Sequence, residues 1–76
     1  MNKQELINAI AATEHFQTKK AAKEFLNEFL DIITDTIVKG TEVRISGFGK
    51  FEKYTRTNGS KTPKFRPFNA LKTKVA

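Results

Sequence analysis

Few of the 76 residues could carry covalent or acid–base chemistry. There is one histidine, His15, and no cysteine, so a thiolate nucleophile, a disulfide and a cysteine-based metal site are all excluded. His15 and Phe16 fall in a polar link between two helical stretches, and no partner within reach in the sequence would make His15 a general base. Glu24, Glu28, Asp31 and Asp35 recur at helical spacing. Paired carboxylates can hold metals or shuttle protons, but no histidine, cysteine or glycine-rich loop converges with these four. They read as the solvated face of a helix. No nucleophile–base pair can be assembled, and neither an enzyme nor a bound metal or cofactor is expected.

The chemistry that remains is charge. The net charge is +6 and it is unevenly placed. Residues 1–40 carry five lysines against six carboxylates, whereas residues 41–76 carry nine Lys/Arg against Glu42 and Glu52. A basic half on a small domain points to a polyanionic partner. Within it, Val43-Arg44-Ile45-Ser46-Gly47-Phe48-Gly49-Lys50-Phe51 is the organising stretch. Val43 and Ile45 alternate with Arg44 and Ser46, the period of a half-buried strand. Gly47 and Gly49 break it into a turn that relies on glycine's access to positive φ. Phe48 and Phe51 are expected to point into one core, leaving Arg44, Ser46, Lys50 and Lys53 on a polar, basic outside.

The elements that must position this stretch are legible around it. Asn2 and Glu5 have capping-box spacing, and Leu6, Ile7 and Ile10 form an apolar stripe, which predicts a helix over about residues 3–13. Thr18 is a candidate N-cap for a second helix over 18–39, with Gly40 as its stop. That helix is apolar over a face too wide for one short neighbour to cover. One edge serves the internal core, and the other requires a second subunit. Strands are expected at about 42–46, 50–57 and 60–66, with Asn58-Gly59 as a type I′ turn candidate. Pro67 suits the first turn of a last helix over 67–75, with Ala70, Leu71 and Val75 on its buried side and Lys72 and Lys74 exposed. The expected fold class is α+β, a single domain over 1–76. A chain of this size buries only roughly 60–65% of its unfolded surface, so self-association is the remaining route to stability. No apolar run approaches the length of a membrane span, and the N-terminus lacks the apolar core of a signal peptide, so a soluble protein of the cell interior is expected.

These segments, in this order, resemble the bacterial histone-like HU and integration host factor family. The resemblance starts at Met1-Asn2-Lys3 and Leu6-Ile7 and runs through the long second helix. It is strongest at Gly47-Phe48-Gly49-Lys50-Phe51, and resumes at Pro63-x-Phe65-Arg66-Pro67 and Ala70-Leu71-Lys72-x-x-Val75. It implies an intertwined homodimer, or a heterodimer with a related subunit, with helical hairpins as its base and a three-stranded antiparallel sheet from each chain as a saddle. In the family, long β-ribbon arms wrap the DNA minor groove, and a proline at each tip wedges between base pairs. Here the chain departs from the pattern. Only Thr57-Asn58-Gly59-Ser60-Lys61-Thr62 stands where roughly 25 arm residues are expected, and Phe68 replaces the glycine usual before the last helix. The resemblance therefore implies a very short-armed member, natural or engineered.

The function expected is sequence-independent binding of double-stranded DNA by a nucleoid-associated dimer, contacting phosphates through its body with little bending. The cytoplasm of a bacterial or phage-infected cell is the expected location. Candidate phosphate contacts are Lys3 with the amides of the first helical turn, Arg44, Ser46, Lys50, Lys53, Arg56, Lys61, Lys64, Arg66, Lys72 and Lys74. The sharper subset is Arg44, Lys50, Lys53 and Arg56. Phe25, Phe29, Ile33, Phe48, Phe51 and Phe65 are the expected dimer core. Phe48, Phe51 and Phe65 are read as core in preference to stacking residues for single strands. The alternative function is a dimerisation partner that modulates a full-length relative. RNA binding lacks the aromatic strand pattern it would need.

Overall fold

The computed structural model describes residues 1–76 as α1 (Lys3–Ala11), α2 (Lys19–Val38), β1 (Val43–Ile45), β2 (Gly49–Thr55), β3 (Lys61–Pro67) and α3 (Asn69–Val75). They form two compact units, Met1–Ile32 and Ile33–Ala76.

In the first unit, both helix starts are capped by the residues the spacing predicts. The Glu5 amide donates to Asn2 Oδ1 at 2.8 Å, and the Ala21 amide to Thr18 Oγ1 at 3.1 Å. Each bond satisfies one of the amides that a helix start leaves orphaned. Helix α1 is shorter than expected. It closes at Ala12, and both the amide and the hydroxyl of Thr13 turn back to the Ile10 carbonyl. The core is Ile7, Ala22 and Leu26, with Ile10, Ala11 and Phe16 packed against it. Leu6, from the same stripe, remains exposed.

The second unit opens with the end of α2. Gly40 has φ +88°, the Thr41 amide donates to the Thr36 carbonyl, and the Gly40 amide to the Ile37 carbonyl. This is the Schellman arrangement, which needs a left-handed residue just past the helix. The three strands then form an antiparallel meander in the order β1-β2-β3.

Three local expectations about turns and element boundaries are corrected. The Phe48 amide donates to the Ile45 carbonyl, and Gly47, third in that turn, has φ +77°. Gly49 does not have positive φ; it is the buried first residue of β2. A Cβ there would lie 2.6 Å from the Arg66 carbonyl oxygen and 2.7 Å from two atoms of the Phe65 ring, so glycine is required for space. The β2–β3 turn is not type I′, because Asn58 does not have positive φ. The Gly59 amide donates to the Arg56 carbonyl, Gly59 has φ +88°, and the Arg56 amide pairs with the Ser60 carbonyl. That is a type I turn followed by a glycine bulge, the three-residue hairpin loop. Finally, Pro67 does not start α3. It ends β3 opposite Gly49, and Phe68 stays extended with its amide on the Phe48 carbonyl. β3 is an edge strand, where a residue without an N–H costs no ladder bond on the open side. Helix α3 leaves Ala70 and Val75 exposed and Leu71 half-buried.

Candidate nucleic-acid interface

Strand register sorts the basic residues by face. Arg44 pairs with Lys50, and Lys50 with Arg66, so three cations form one row across all three strands. Side chains alternate along a strand, so Glu52, Tyr54, Thr62 and Lys64 share that face with them. The neighbouring row, Val43–Phe51–Phe65, faces the other way, where the Phe65 ring meets those of Phe51 at 4.9 Å and Phe48 at 5.2 Å.

The cation row is partly neutralised. Glu42 receives Arg44 at 3.1 Å and Lys50 at 3.4 Å, while Glu52 receives Arg66 at 2.5 Å and Lys50 at 3.6 Å. The hydrogen bond from Arg44 holds the Glu42 carboxyl below its ordinary range, against an opposing push from local desolvation and with Lys50 assisting. Arg66 does the same for Glu52. Exposed pairs of this kind add little stability. Their effect is to leave a chain of five charged groups, three positive and two negative, whose cations can exchange carboxylate for another oxyanion. Two aromatic rings sit under cations at the edges of this face: the Arg44 guanidinium lies 5.2 Å from the Phe68 ring centre, and the Lys64 ammonium 4.2 Å from that of Tyr54.

The other predicted contacts are dispersed. Lys53 is in register with Pro63, on the opposite face from Arg44 and Lys50, and its ammonium donates to the Val38 carbonyl at 3.0 Å. It caps the C-terminal end of α2, where cations are favoured. Lys53 and Lys61 line a groove of about 230 Å³ with Thr34, Ile37, Val38, Thr62 and Pro63. The subset Arg44, Lys50, Lys53 and Arg56 is thus not one cluster: Arg56 is at the hairpin turn and Lys53 is turned away. Ser46 is exposed in the β1–β2 turn, Lys72 and Lys74 lie in the last turn of α3, and Lys3 is exposed on the first turn of α1. The Glu5 amide beside Lys3 is already taken by Asn2. Of the six expected dimer-core residues, none is buried in a single chain. Phe25 is 47% exposed, Phe29 and Phe48 41% and Phe65 37%, with Ile33 and Phe51 half-buried. The large apolar side chains and the alanine buried within the chain are Ile7, Ala22, Leu26 and Ile37, and Gly49 is the one other buried residue. No group of histidine, cysteine and carboxylate side chains could hold a metal, and no helix is long and apolar enough to cross a membrane.

Sequence reasoning missed Glu42, Glu52, Tyr54 and Phe68 as parts of this face. The period-2 alternation that placed Lys50 also places Glu52 and Tyr54 in phase with it.

The family profile described as bacterial DNA-binding protein matches residues 1–60. The chain belongs to the HU family of bacterial DNA-binding proteins. It is 40% identical to DNA-binding protein HU-beta 2 of Neisseria meningitidis over 90 positions, covering 99% of this chain and 98% of that protein. To DNA-binding protein HU of Geobacillus stearothermophilus it is 38% identical over 90 positions, covering 99% of each. The solved HU of Thermotoga maritima superposes with a TM-score of 0.82 at 42% identity, over the full length of both chains. HU of Anabaena, in a cocrystal with DNA, superposes at 0.84 with 28% identity, over 100% of this chain and 98% of that one. The three helices and the three-stranded antiparallel sheet are thus the HU fold, and the family is one of DNA-binding proteins rather than enzymes.

Proposed function

We propose that this HU-family chain is a nucleoid-associated protein that binds double-stranded DNA without sequence selectivity, as a dimer. The single observation that carries the reading is the row Arg44–Lys50–Arg66 in register across the sheet, with Lys64 on the same face. Phosphate binding needs only charge and donors, and no helix presents a set of base-reading side chains. The Anabaena relative, crystallised with DNA, supports the partner. The site works in the bacterial cytoplasm, at the nucleoid, whether the chain is the cell's own or a phage's.

Dimerisation is supported by what the single chain leaves open. Phe25, Phe29, Ile32, Val38, Phe48, Phe65 and Val75 are all exposed, while four apolar residues are buried. A second copy over the aromatic faces gives the chain the core it lacks alone, with residues 1–76 acting as one domain. Arg56, Lys61, Lys3, Ser46, Lys72 and Lys74 add phosphate contacts at the margins, and Lys53 serves the fold.

The chain is a short-armed member. Alignments to relatives run over 90 positions against its 76 residues, and the family match ends at residue 60, in the hairpin turn. With no ribbon to wrap the duplex, contacts are confined to the body. If about 4–6 phosphates are neutralised, log K falls against log salt with a slope of roughly −4 to −5. Gel shifts on unrelated duplexes across salt test this. Equal affinities and that slope are expected; a slope near zero, or no binding at low salt, rules the reading out.

A further inference from the structure

We infer that Tyr54 and Lys64 form a subsite for one unpaired nucleotide of single-stranded DNA, the base stacking on the Tyr54 ring and Lys64 taking its phosphate. The inference rests on the proposed DNA-binding face and adds to it a ligand that the cation row alone does not select.

Three observations carry it. First, Tyr54 is the one aromatic residue among the strand positions of the cationic face; its neighbours there are Arg44, Lys50, Glu52, Thr62, Lys64 and Arg66. All the phenylalanines of the strands lie on the other face, where rings pack on rings. The Tyr54 ring has no apolar side chain beside it on its own face, so core burial does not account for it, and it stays 36% exposed. Second, the ring already holds a cation. Lys64, diagonal to it across β2 and β3, sits 4.2 Å from its centre. That ammonium occupies the place a base would take. Its flexible stem lets it move from the ring to the phosphate of the same nucleotide, so one motion uncovers the stacking surface and supplies the anion contact. Third, Glu52 pairs with Lys50 and Arg66, and Lys64 has no carboxylate partner, so the cation nearest the ring exchanges most freely.

The geometry selects unpaired over paired bases. In a duplex, the faces of the bases are covered by their neighbours and only edges are presented in the grooves. A ring on the face of a sheet has nothing to stack on there. A single strand offers a free π-face per nucleotide, and aromatic stacking beside a basic track is the general means of holding it.

The experiment uses the intact protein and its own fluorescence: there is one tyrosine and no tryptophan, so emission reports Tyr54 directly. The chain is titrated with a short oligothymidylate, with an abasic oligomer of the same length, and with a duplex. Oligothymidylate should quench the emission, and the abasic strand should not. Tyr54→Leu should weaken oligothymidylate binding by about 5- to 150-fold, the range for loss of one stacked base. It should weaken duplex binding severalfold less than single-strand binding, and Tyr54→Phe should keep the wild-type preference. Circular dichroism of each variant shows whether the sheet is retained; if Tyr54→Leu unfolds, Tyr54→Thr, a β-branched residue suited to a strand, replaces it, with a loss expected on the natural strand that exceeds the loss on the abasic one. Equal quenching by abasic and natural strands, or equal losses on single strand and duplex, overturns the subsite while leaving the duplex reading intact. Failure to bind duplex and single strand alike overturns both.

Discussion

Replacing Gly49 by alanine tests whether the sheet is held by close approach or by backbone conformation. Gly49 is buried, pairs with Ile45 on one side and Pro67 on the other, and has no positive φ. The added methyl carbon would stand 2.6 Å from the Arg66 carbonyl oxygen and 2.7 Å from the Phe65 ring. The ring could rotate, but it is already packed against Phe48 and Phe51, and the carbonyl is backbone of the adjacent strand. Relief requires β3 to move by several tenths of an ångström just where α3 begins. Overpacking of this kind costs about 1–3 kcal/mol, and the backbone contact places Gly49→Ala in the upper half of that range. For a domain of this size about 2–3 kcal/mol lowers Tm by about 8–24 °C. Gly47 supplies the control. Nothing lies within 4 Å of a Cβ there, but its φ is +77°, so Gly47→Ala carries only a conformational cost, about 1–2 kcal/mol. Asparagine separates the two mechanisms, since it tolerates the left-handed region but is larger than alanine. At position 47 it should be milder than alanine, and at 49 worse. Thermal unfolding followed by circular dichroism, at one protein concentration because a dimer's Tm depends on it, gives the ranking. A Gly49→Ala protein within 3 °C of wild type, or asparagine better than alanine at both positions, would refute the packing argument.

Acid should release the cation row. Glu42 and Glu52 have lowered folded pKa values, so their contribution to stability is complete above the unfolded value of about 4.3 and is lost as pH falls through the folded values below it. Carboxyl NMR titration should find both midpoints below the ordinary glutamate value of about 4.3, and Glu52→Gln should tighten duplex binding at neutral pH. Putting a charge on the exposed aromatic face of α2, by Phe29→Asp, should abolish the dimer; light scattering that shows an unchanged dimer, or a wild type that is a stable folded monomer at micromolar concentration, would contradict it. Fluorescence transfer between the ends of a duplex of about 30 base pairs should rise little on saturation, because smooth bending by 40–90° costs on the order of 1–6 kcal/mol and the chain offers no wrapping surface to offset it.

Periodicity and capping residues were sufficient for the elements. Asn2, Thr18 and Gly40 act where their types predict, because capping is a local matter of one side chain or one φ angle. What the sequence could not resolve depends on contacts between strands. Gly47 and Gly49 look alike in a GFG motif, yet one serves a turn and the other a gap, and only the register with Arg66 and Phe65 separates them. The basic residues were legible as a group but not by face, because counting charges ignores the alternation that turns Lys53 toward the end of α2 and leaves Arg44 and Lys50 together. The aromatic residues Phe25, Phe29, Phe48 and Phe65 read as core from their types, and within one chain they are surface. Hydrophobicity says that a side chain will be covered, and not by which molecule.

The hairpin turn from Arg56 to Ser60 closes on itself: its glycine bulge completes the ladder at Thr55 and Lys61, and Asn58 Oδ1 accepts from both the amide and the hydroxyl of Ser60. A ladder that ends this way can be lengthened only in whole rungs. Each rung adds one residue to either strand, and each pair of rungs restores the original facing of every side chain. An insertion between Thr55 and Lys61 of four residues, or eight, therefore carries the present cationic and apolar faces outward unchanged, whereas two or six would present the turn with its faces exchanged. The length of a ribbon grown from this sheet is accordingly a stepwise variable, and an odd insertion must be absorbed by a further bulge.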